Sequence, residues 1–197
     1  MPDATPAPAP AYQVLARKYR PRTFEDLIGQ EAMVRTLTNA FATGRIAHAF
    51  MLTGVRGVGK TTTARLLARA LNNETETIDK PSLALTAHGR HDAAIMAGQH
   101  MDVMEMDAAS HTGVNDIRDI LESVRYAPVE ARYKVYVLDE VHMLSTQAFN
   151  ALLKTLEEPP PHVKFIFATT EPEKVIGTIR SRTHHYPFRL VPPAVLQ

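Results

Sequence analysis

Apolar residues follow two different spacings along the chain, and the two spacings alternate. Short uninterrupted apolar runs are typical of strands buried in a parallel sheet, whereas apolar residues that recur every three or four positions are typical of amphipathic helices. The runs predict buried strands over residues 49–52, 102–106, 134–140, 165–168 and 185–190. The helical spacing predicts helices over residues 31–43 and 62–71, over residues 114–124, and from Ser145 to the prolines at 159–161. This alternation predicts an α/β fold, with a five-stranded parallel sheet and helices on both faces.

Composition divides the chain into a leader and one domain. Residues 1–11 carry four prolines among alanines, which predicts a disordered leader. Residues 12–190 hold all the predicted helices and strands and are interpreted as a single domain. Within that domain residues 72–99 show neither spacing, so we expect a small irregular insertion there.

Glycines and a lysine occupy the junction between the first strand and the second helix. They fit the P-loop pattern G-x-x-x-x-G-K-[ST] at every fixed position, through Gly54, Val55, Arg56, Gly57, Val58, Gly59, Lys60 and Thr61, with Thr62 continuing into the helix. Such glycines let backbone N–H groups surround phosphate oxygens, the lysine reaches the terminal phosphates, and the hydroxyl suits Mg²⁺. The pattern predicts a nucleoside triphosphate site; the alternative is a glycine-rich turn followed by a solvated lysine.

Two acids, Asp139 and Glu140, end the apolar run over residues 134–140. The carboxyl ends of parallel strands are where open α/β sheets bind ligands. Because adjacent side chains of a strand point to opposite sides, one acid can address the P-loop magnesium and the other a water molecule. The alternative is two solvated acids at a strand-to-loop junction.

A basic and aromatic segment precedes the first predicted helix. It contains Ala16, Arg17, Tyr19 and Arg20. Such a segment can wrap a nucleotide base or cover a sheet edge with a solvated charged face, and the residues alone leave both interpretations open.

The histidines of the irregular region raise the question of a metal site. His88, His91 and His100 have only Asp92 and Glu74 as further candidate ligands, so we interpret them as surface histidines. The chain has no cysteine, which excludes disulfides and thiolate metal sites.

A net charge of +1 points to no particular partner, and no apolar run approaches membrane-spanning length. With no signal-peptide pattern, a cytoplasmic protein is expected.

Several motifs together resemble one family, the gamma/tau subunits of the bacterial DNA polymerase III clamp loader, which are AAA+ ATPases. The resemblance covers most of residues 13–190 and rests on the P-loop and on five further stretches, at residues 15–21, 107–110, 139–144, 150–160 and 167–171. It implies an AAA+ P-loop domain with ATP and Mg²⁺ as its ligands.

The resemblance also implies roles for individual residues. Lys60 and Thr61 match the phosphate-binding lysine and the magnesium ligand, and Asp139 matches the metal carboxylate. Glu140 matches the glutamate that activates the attacking water, and Thr170, with Thr169 beside it, matches a sensor of the γ-phosphate. The stretch that contains Ala16, Arg17, Tyr19 and Arg20 matches the adenine pocket, and Arg182 matches an arginine finger that acts in trans on a neighbouring subunit's ATP.

At the level of function the resemblance implies a motor that opens a sliding clamp and loads it on primer-template DNA during replication. The expected partners are the clamp, the delta and delta-prime subunits and further gamma/tau copies, with no membrane. The family is grouped with DNA-directed DNA polymerase through its holoenzyme. Two alternatives are a non-hydrolysing scaffold like the family's stator subunit and a helicase motor of the branch-migration type.

The chain departs from the family pattern in several places. The family's four-cysteine zinc module would fall in residues 72–99, and without cysteines we predict no zinc there. Thr183 replaces a cysteine after Arg182, and His111 replaces an arginine expected to track the DNA backbone. Residues 191–197 are expected to begin the family's lid domain, whose remainder lies beyond this sequence.

Overall fold

The computed structural model describes residues 20–56, 59–85, 88–110 and 114–189. The predictions for the leader, for Ala16, Arg17 and Tyr19, for Gly57 and Val58, for His111 and for residues 190–197 lie outside the described residues. The strand and helix predictions can be compared with the structure over the rest of the chain.

Helices and strands alternate, as the apolar spacing predicts. In chain order they are α1 (Glu31–Ala42), β1 (Ala49–Thr53), α2 (Lys60–Leu71), α3 (Asp92–Met96), β2 (Val103–Asp107), α4 (Val114–Ser123), β3 (Lys134–Asp139), α5 (Thr146–Glu157), β4 (Val163–Thr169), α6 (Gly177–Arg180) and β5 (His184–Pro187). Short 3-10 helices cover Phe24–Asp26, Val141–Met143 and Pro172–Lys174. α5 begins directly after Ser145, close to its predicted start, and Ser145 caps it, because the Ser145 Oγ accepts a hydrogen bond from the Ala148 backbone N at 3.1 Å.

The strands form one parallel sheet in the order β2-β3-β4-β1-β5. The predicted five-stranded parallel sheet is therefore confirmed. β4 separates β1 from β3, so the loop after β1 and the acids after β3 lie on either side of the β4 tip. All five strands present their carboxyl ends at the same edge, which is where ligands bind in open parallel sheets.

Helices cover both faces of the sheet. Along β1, Phe50 and Leu52 pack into a core with α1 and α2, whereas Ala49 and Met51 pack into a second core with α4 and α5. This alternation follows from the two-residue period of a strand. A strand covered on both sides has no polar face, which is why its sequence is a continuous apolar run.

The strand β2 is less buried than its sequence predicts. Only Val103 is buried there, and Met104 is 40% exposed. β2 lies at one edge of the sheet and pairs only with β3, so fewer elements cover it. The apolar run locates the strand correctly, but the prediction that the strand is buried is wrong.

One lysine is enclosed within the sheet. Lys164 of β4 is 3% exposed, and its Nζ donates to the Ala47 backbone O at 3.1 Å. Nζ also lies 5.0 Å from the centre of the Tyr133 ring. Burial disfavours the ammonium form and lowers the pKa of Lys164 to about 8.

We expect the stability of the domain to rise with pH between about 8 and 10.5 because of Lys164. In that range the unfolded lysine keeps a proton that the folded one has lost, so raising the pH favours the folded state, by up to about 3 kcal/mol in total. Lys164→Met should be more stable than the wild type at pH 7 and should lack this rise. Urea unfolding at several pH values measures both, with Lys154→Met, an exposed lysine of α5, as control. Parallel curves for wild type and Lys164→Met would contradict the expectation.

Candidate functional site

A cavity of about 550 Å³ opens at the carboxyl edge of the sheet. It is lined by residues from the P-loop, from the first turn of α2, from the ends of β2 and β3, and from the segment before the Phe24–Asp26 helix. These are Arg20, Pro21, Arg56, Gly59, Lys60, Thr61, Thr62, Asp107, Asp139 and Glu140. The structure thus brings five of the predicted phosphate-binding residues, from Arg56 to Thr62, and both predicted acids to one cavity, whereas Gly54 and Val55 are not among its lining residues.

The loop after β1 is shaped by glycine backbone angles and held by Lys60. Gly59 has a φ of 95°, a left-handed conformation that favours glycine, and α2 begins directly after it. Lys60 is 6% exposed, and its Nζ donates to the backbone O of Gly54 at 2.8 Å and of Val55 at 2.9 Å. Burial lowers the pKa of Lys60, although the nearby Glu140 and Asp139 carboxylates act in the opposite direction. The ammonium group is therefore preplaced at the helix N-terminus, where phosphate charge is favoured.

Two oxygen ligands meet beside this lysine. Thr61 Oγ1 donates to Asp139 Oδ2 at 3.2 Å, and Asp139 Oδ1 accepts from the Glu140 backbone N at 2.9 Å. A hydroxyl and a carboxylate are hard oxygen donors of the kind that Mg²⁺ prefers, so this pair fits the predicted magnesium site. Sequence reasoning missed a further acid, Asp107, which ends β2 in register with Asp139 and lines the same cavity. Its position at the end of a predicted strand was the available signal.

Glu140 has an unusual backbone conformation. With φ 51° and ψ 43° it is the only non-glycine residue at positive φ in the part of the chain that the structure describes. Such a conformation costs energy and clusters at functional sites. β3 ends at Asp139, one residue before the predicted end, so strand alternation does not set the direction of the Glu140 side chain. Its Oε2 instead accepts from Thr170 Oγ1 at 3.3 Å.

A histidine with a buried side chain lies beside Glu140. His142 Nδ1 lies 2.8 Å from Thr169 Oγ1, and its Nε2 lies 3.5 Å from Glu140 Oε2 and 3.2 Å from Glu171 Oε2. Sequence reasoning did not single out His142, because its contacts with residues 169 and 171 join segments far apart in sequence. The structure does place Thr170 next to Glu140, as expected for residues predicted to share a site.

The two predicted arginines lie in different places. Arg20 lines the phosphate cavity, and with Pro21 it also lines a second cavity of about 680 Å³ that extends toward α3. Arg182 does not line the phosphate cavity. Its side chain is 46% exposed, and its Nη2 lies 3.8 Å from Glu157 Oε1. Arg182 is therefore available to another molecule rather than engaged with the site of its own chain.

The prediction that the histidines of residues 72–99 and His100 lie on the surface is wrong for two of them. His88 is exposed, but His91 is 3% and His100 is 6% exposed. His100 Nε2 lies 2.8 Å from His91 Nδ1, and with Glu130 the pair forms a group whose ligand atoms lie within 4.8 Å of one another. Asp92 is occupied elsewhere, by an ion pair with Arg69 at 2.8 Å. The two rings meet edge to face, with His91 directly before α3 and His100 in the loop before β2.

Hydrogen bonding fixes the protons of the buried pair. His100 Nδ1 accepts from the Asp102 backbone N at 3.0 Å, so the neutral ring carries its proton on Nε2. That proton faces His91 Nδ1, which leaves the His91 proton on Nε2, 3.2 Å from Glu74 Oε2. Burial and the neighbouring His91 lower the pKa of His100, which favours this neutral form. Binding a metal at His100 Nε2 would require a different tautomer, so the group is better suited to mutual hydrogen bonding. That the insertion binds no zinc stays a prediction.

Across the described ranges, no helix has the length and apolar content needed to cross a bilayer.

Comparison with known proteins places this site in a wider context. A family model described as DNA polymerase III, delta subunit, matches residues 29–192. The chain is 51% identical over 191 residues to the DNA polymerase III subunit gamma/tau of Mycobacterium tuberculosis, covering 93% of this chain and 31% of that protein. It is 55% identical over 174 residues to the tau subunit of Escherichia coli, covering 87% and 26%. It is 51% identical over 180 residues to the gamma subunit of Buchnera aphidicola, covering 91% and 48%. The chain thus spans less than half the length of these relatives.

Solved structures share the fold at low sequence identity. A RuvB variant of Thermotoga maritima superposes with a TM-score of 0.60 at 20% identity, over 91% of this chain and 52% of that one. A DNA polymerase III gamma subunit-related protein of the same organism gives a TM-score of 0.53 at 20% identity, over 84% and 47%. At this identity the likeness concerns the fold alone, and it supports the expected α/β fold.

Proposed function

Because the chain belongs to the DNA polymerase III subunit family whose model it matches, with gamma/tau subunits among its relatives, we propose that it binds ATP with Mg²⁺ and hydrolyses it. The contact between Thr61 Oγ1 and Asp139 Oδ2, beside the buried Lys60, carries this proposal. It joins a loop suited to phosphates with two ligands suited to the metal. The solvated-lysine and solvated-acid alternatives are disfavoured by the burial of Lys60 and by this contact.

The residues of the site have different tasks in the proposed reaction. Lys60 binds the terminal phosphates through its ammonium group, while Thr61 and Asp139 hold Mg²⁺, which neutralises phosphate charge when bound. A water oxygen attacks the γ-phosphorus in line, and the bond from that phosphorus to the ADP oxygen breaks as ADP leaves. Glu140 accepts the proton of the attacking water. Thr170, which donates to Glu140 Oε2 at 3.3 Å, orients this carboxylate and senses the γ-phosphate.

The adenine base is proposed to lie on the Arg20 side of the site. Arg20 and Pro21 line both the phosphate cavity and the second cavity, so the second cavity adjoins the phosphate cavity on this side. This placement agrees with the sequence prediction that the segment containing Arg20 lines the base.

At the cellular level we propose the motor domain of a cytoplasmic clamp loader in DNA replication. Its proposed partners are delta and delta-prime subunits, further copies of this chain, a sliding clamp and primer-template DNA. Lys60, Thr61, Asp139 and Glu140 are all present and in one cavity, which disfavours a non-hydrolysing scaffold. The likeness to RuvB supports no helicase role, because at 20% identity it concerns the fold. DNA synthesis is not proposed, since the relatives' names refer to a subunit of a polymerase complex.

Substitution of Glu140 by glutamine tests the proposal. The amide cannot accept the proton of the attacking water, so we expect the hydrolysis rate to fall by about 10²- to 10⁴-fold. The affinity for MgATP should stay close to that of the wild type, because Lys60, Thr61 and Asp139 are unchanged. Single-turnover hydrolysis and calorimetric titration measure the two quantities, with Glu158→Gln, an exposed glutamate after α5, as the matched control. Hydrolysis that persists in Glu140→Gln at the wild-type rate would refute the proposed role of this residue.

A further inference from the structure

His142 is buried next to the proposed catalytic base. Its side chain is 5% exposed, and three polar atoms lie near its ring nitrogens. Thr169 Oγ1 is 2.8 Å from Nδ1, and Glu171 Oε2 and Glu140 Oε2 are 3.2 and 3.5 Å from Nε2. A buried imidazole that faces polar groups at both nitrogens has a defined orientation. The His142 ring is therefore held in one orientation beside Glu140. This contact belongs neither to the P-loop pattern nor to the pair of acids at the end of β3.

The neighbours of His142 decide which nitrogen carries the proton. Ionised carboxylates only accept hydrogen bonds, so the nitrogen that faces Glu140 and Glu171 is the protonated one, Nε2. The side-chain hydrogen bond from Lys174 lowers the pKa of Glu171, which keeps that carboxylate ionised. Nδ1 then accepts from Thr169 Oγ1 at 2.8 Å, while the same hydroxyl oxygen accepts from the Glu171 backbone N at 3.0 Å. In this arrangement each donor faces an acceptor, from the Glu171 backbone N through the Thr169 hydroxyl to the His142 ring.

This chain of contacts links the base to the tip of β4. Two donor groups lie near Glu140 Oε2: the Thr170 hydroxyl, which hydrogen-bonds to it at 3.3 Å, and His142 Nε2, which makes a longer polar contact at 3.5 Å. The other contacts of His142 are with Thr169 and Glu171, the residues on either side of Thr170. A shift of the β4 tip therefore moves both donors together. Because β3 ends at Asp139, strand alternation does not orient the Glu140 carboxylate, and these side-chain contacts are what hold it.

We propose that His142 is a positioning residue, which holds the Glu140 carboxylate in the orientation that accepts the proton of the attacking water and ties that orientation to residues 169–171. This role rests on the proposed ATP hydrolysis. His142 does not touch the reacting atoms. Its effect is expected in the rate of the chemical step and not in the binding of MgATP.

Two substitutions separate the Nε2 contact from the burial of the ring. In His142→Gln the side-chain amide reaches about as far as Nε2 and can donate to Glu140, whereas in His142→Asn it reaches only the region of Nδ1. We expect His142→Asn to hydrolyse MgATP about tenfold more slowly in single turnover, which is a part of the acid–base contribution. His142→Gln should stay within about twofold of the wild type, because it keeps the donor. Both variants should bind MgATP with unchanged Kd.

The experiment uses the 197-residue chain, with His48→Asn as control because His48 is exposed at the opposite, amino edge of the sheet. Equal rates for His142→Asn and wild type would overturn the proposal, as would equal losses in the Asn and Gln variants or a parallel loss of MgATP affinity. Measuring Glu140→Gln in the same assay distinguishes a failure of the proposed ATP hydrolysis from a failure of the role proposed for His142. If the wild type is no faster than Glu140→Gln, the proposed hydrolysis fails and the role of His142 with it. If the wild type is faster but His142→Asn matches the wild type, only the role of His142 fails.

Discussion

Replacement of Lys60 by alanine is expected to weaken the binding of MgATP severely. The ammonium group is buried and held against the Gly54 and Val55 carbonyls, so it meets the terminal phosphates with little water to displace and little side-chain freedom to lose. Truncating one partner of a buried charge pair costs about 2–5 kcal/mol, which corresponds to a roughly 30- to 5,000-fold weaker Kd. Calorimetric titration of the wild type and Lys60→Ala with MgATP measures this loss.

An exposed lysine provides the control for the Lys60 experiment, and the pH dependence of MgATP affinity provides a second measurement. Lys154→Ala removes an exposed lysine of α5 and should bind MgATP as the wild type does. Burial lowers the pKa of Lys60, so its charge is lost at a less alkaline pH than that of an ordinary lysine. Wild-type affinity should therefore fall as the pH rises into the alkaline range, while the residual affinity of Lys60→Ala should show no such fall. An unchanged Kd in Lys60→Ala would count against the whole phosphate site.

Local patterns were sufficient to predict the elements and the centre of the site. Buried parallel strands must be apolar on both faces, so β1, β3 and β4 stand out as continuous runs in the sequence. The P-loop is a local motif, and its strand and helix flank it directly. Asp139 was predictable because the carboxyl end of a buried strand is a preferred place for ligands. In each case the signal and its structural consequence lie within about ten residues of each other.

What the sequence did not reveal depends on contacts between distant segments. The edge position of β2 follows from the order of strands in the sheet, which no single run encodes. His91 and His100 are buried because they bond to each other and to Glu74 and the Asp102 backbone, in a region without periodicity. The position of His142 beside Glu140 and Glu171 likewise arises from the meeting of the β3 and β4 tips. Polar contacts of this kind leave no spacing in the sequence from which they could be predicted.

Arg182 follows the short helix α6, at the start of the turn into β5. Ile179 of that helix is fully buried, whereas the Arg182 side chain is half-exposed and its Nη2 lies 3.8 Å from Glu157 Oε1. A side chain on the surface, outside the cavity of its own chain, can serve an ATP only in a head-to-tail interface between copies, where one surface meets a different surface of the next molecule. Arginine supplied in this way stabilises the charge of the transferring phosphoryl group.

We expect Arg182→Ala to bind MgATP normally and to lose about 10³- to 10⁵-fold in assembled hydrolysis, the range observed for arginine fingers. Because the arginine comes from a neighbour, wild-type turnover per chain should rise with protein concentration, and turnover of Arg182→Ala should not. Mixing Arg182→Ala with Glu140→Gln provides the decisive comparison, since each variant supplies what the other lacks. Random assembly of equal amounts should restore about a quarter of the wild-type rate, because one interface in four then joins an intact base to an intact arginine. The prediction is contradicted if Arg182→Ala is as active as the wild type, or if the mixture is no more active than its components. The charge of the transition state would then be stabilised by groups of the same chain.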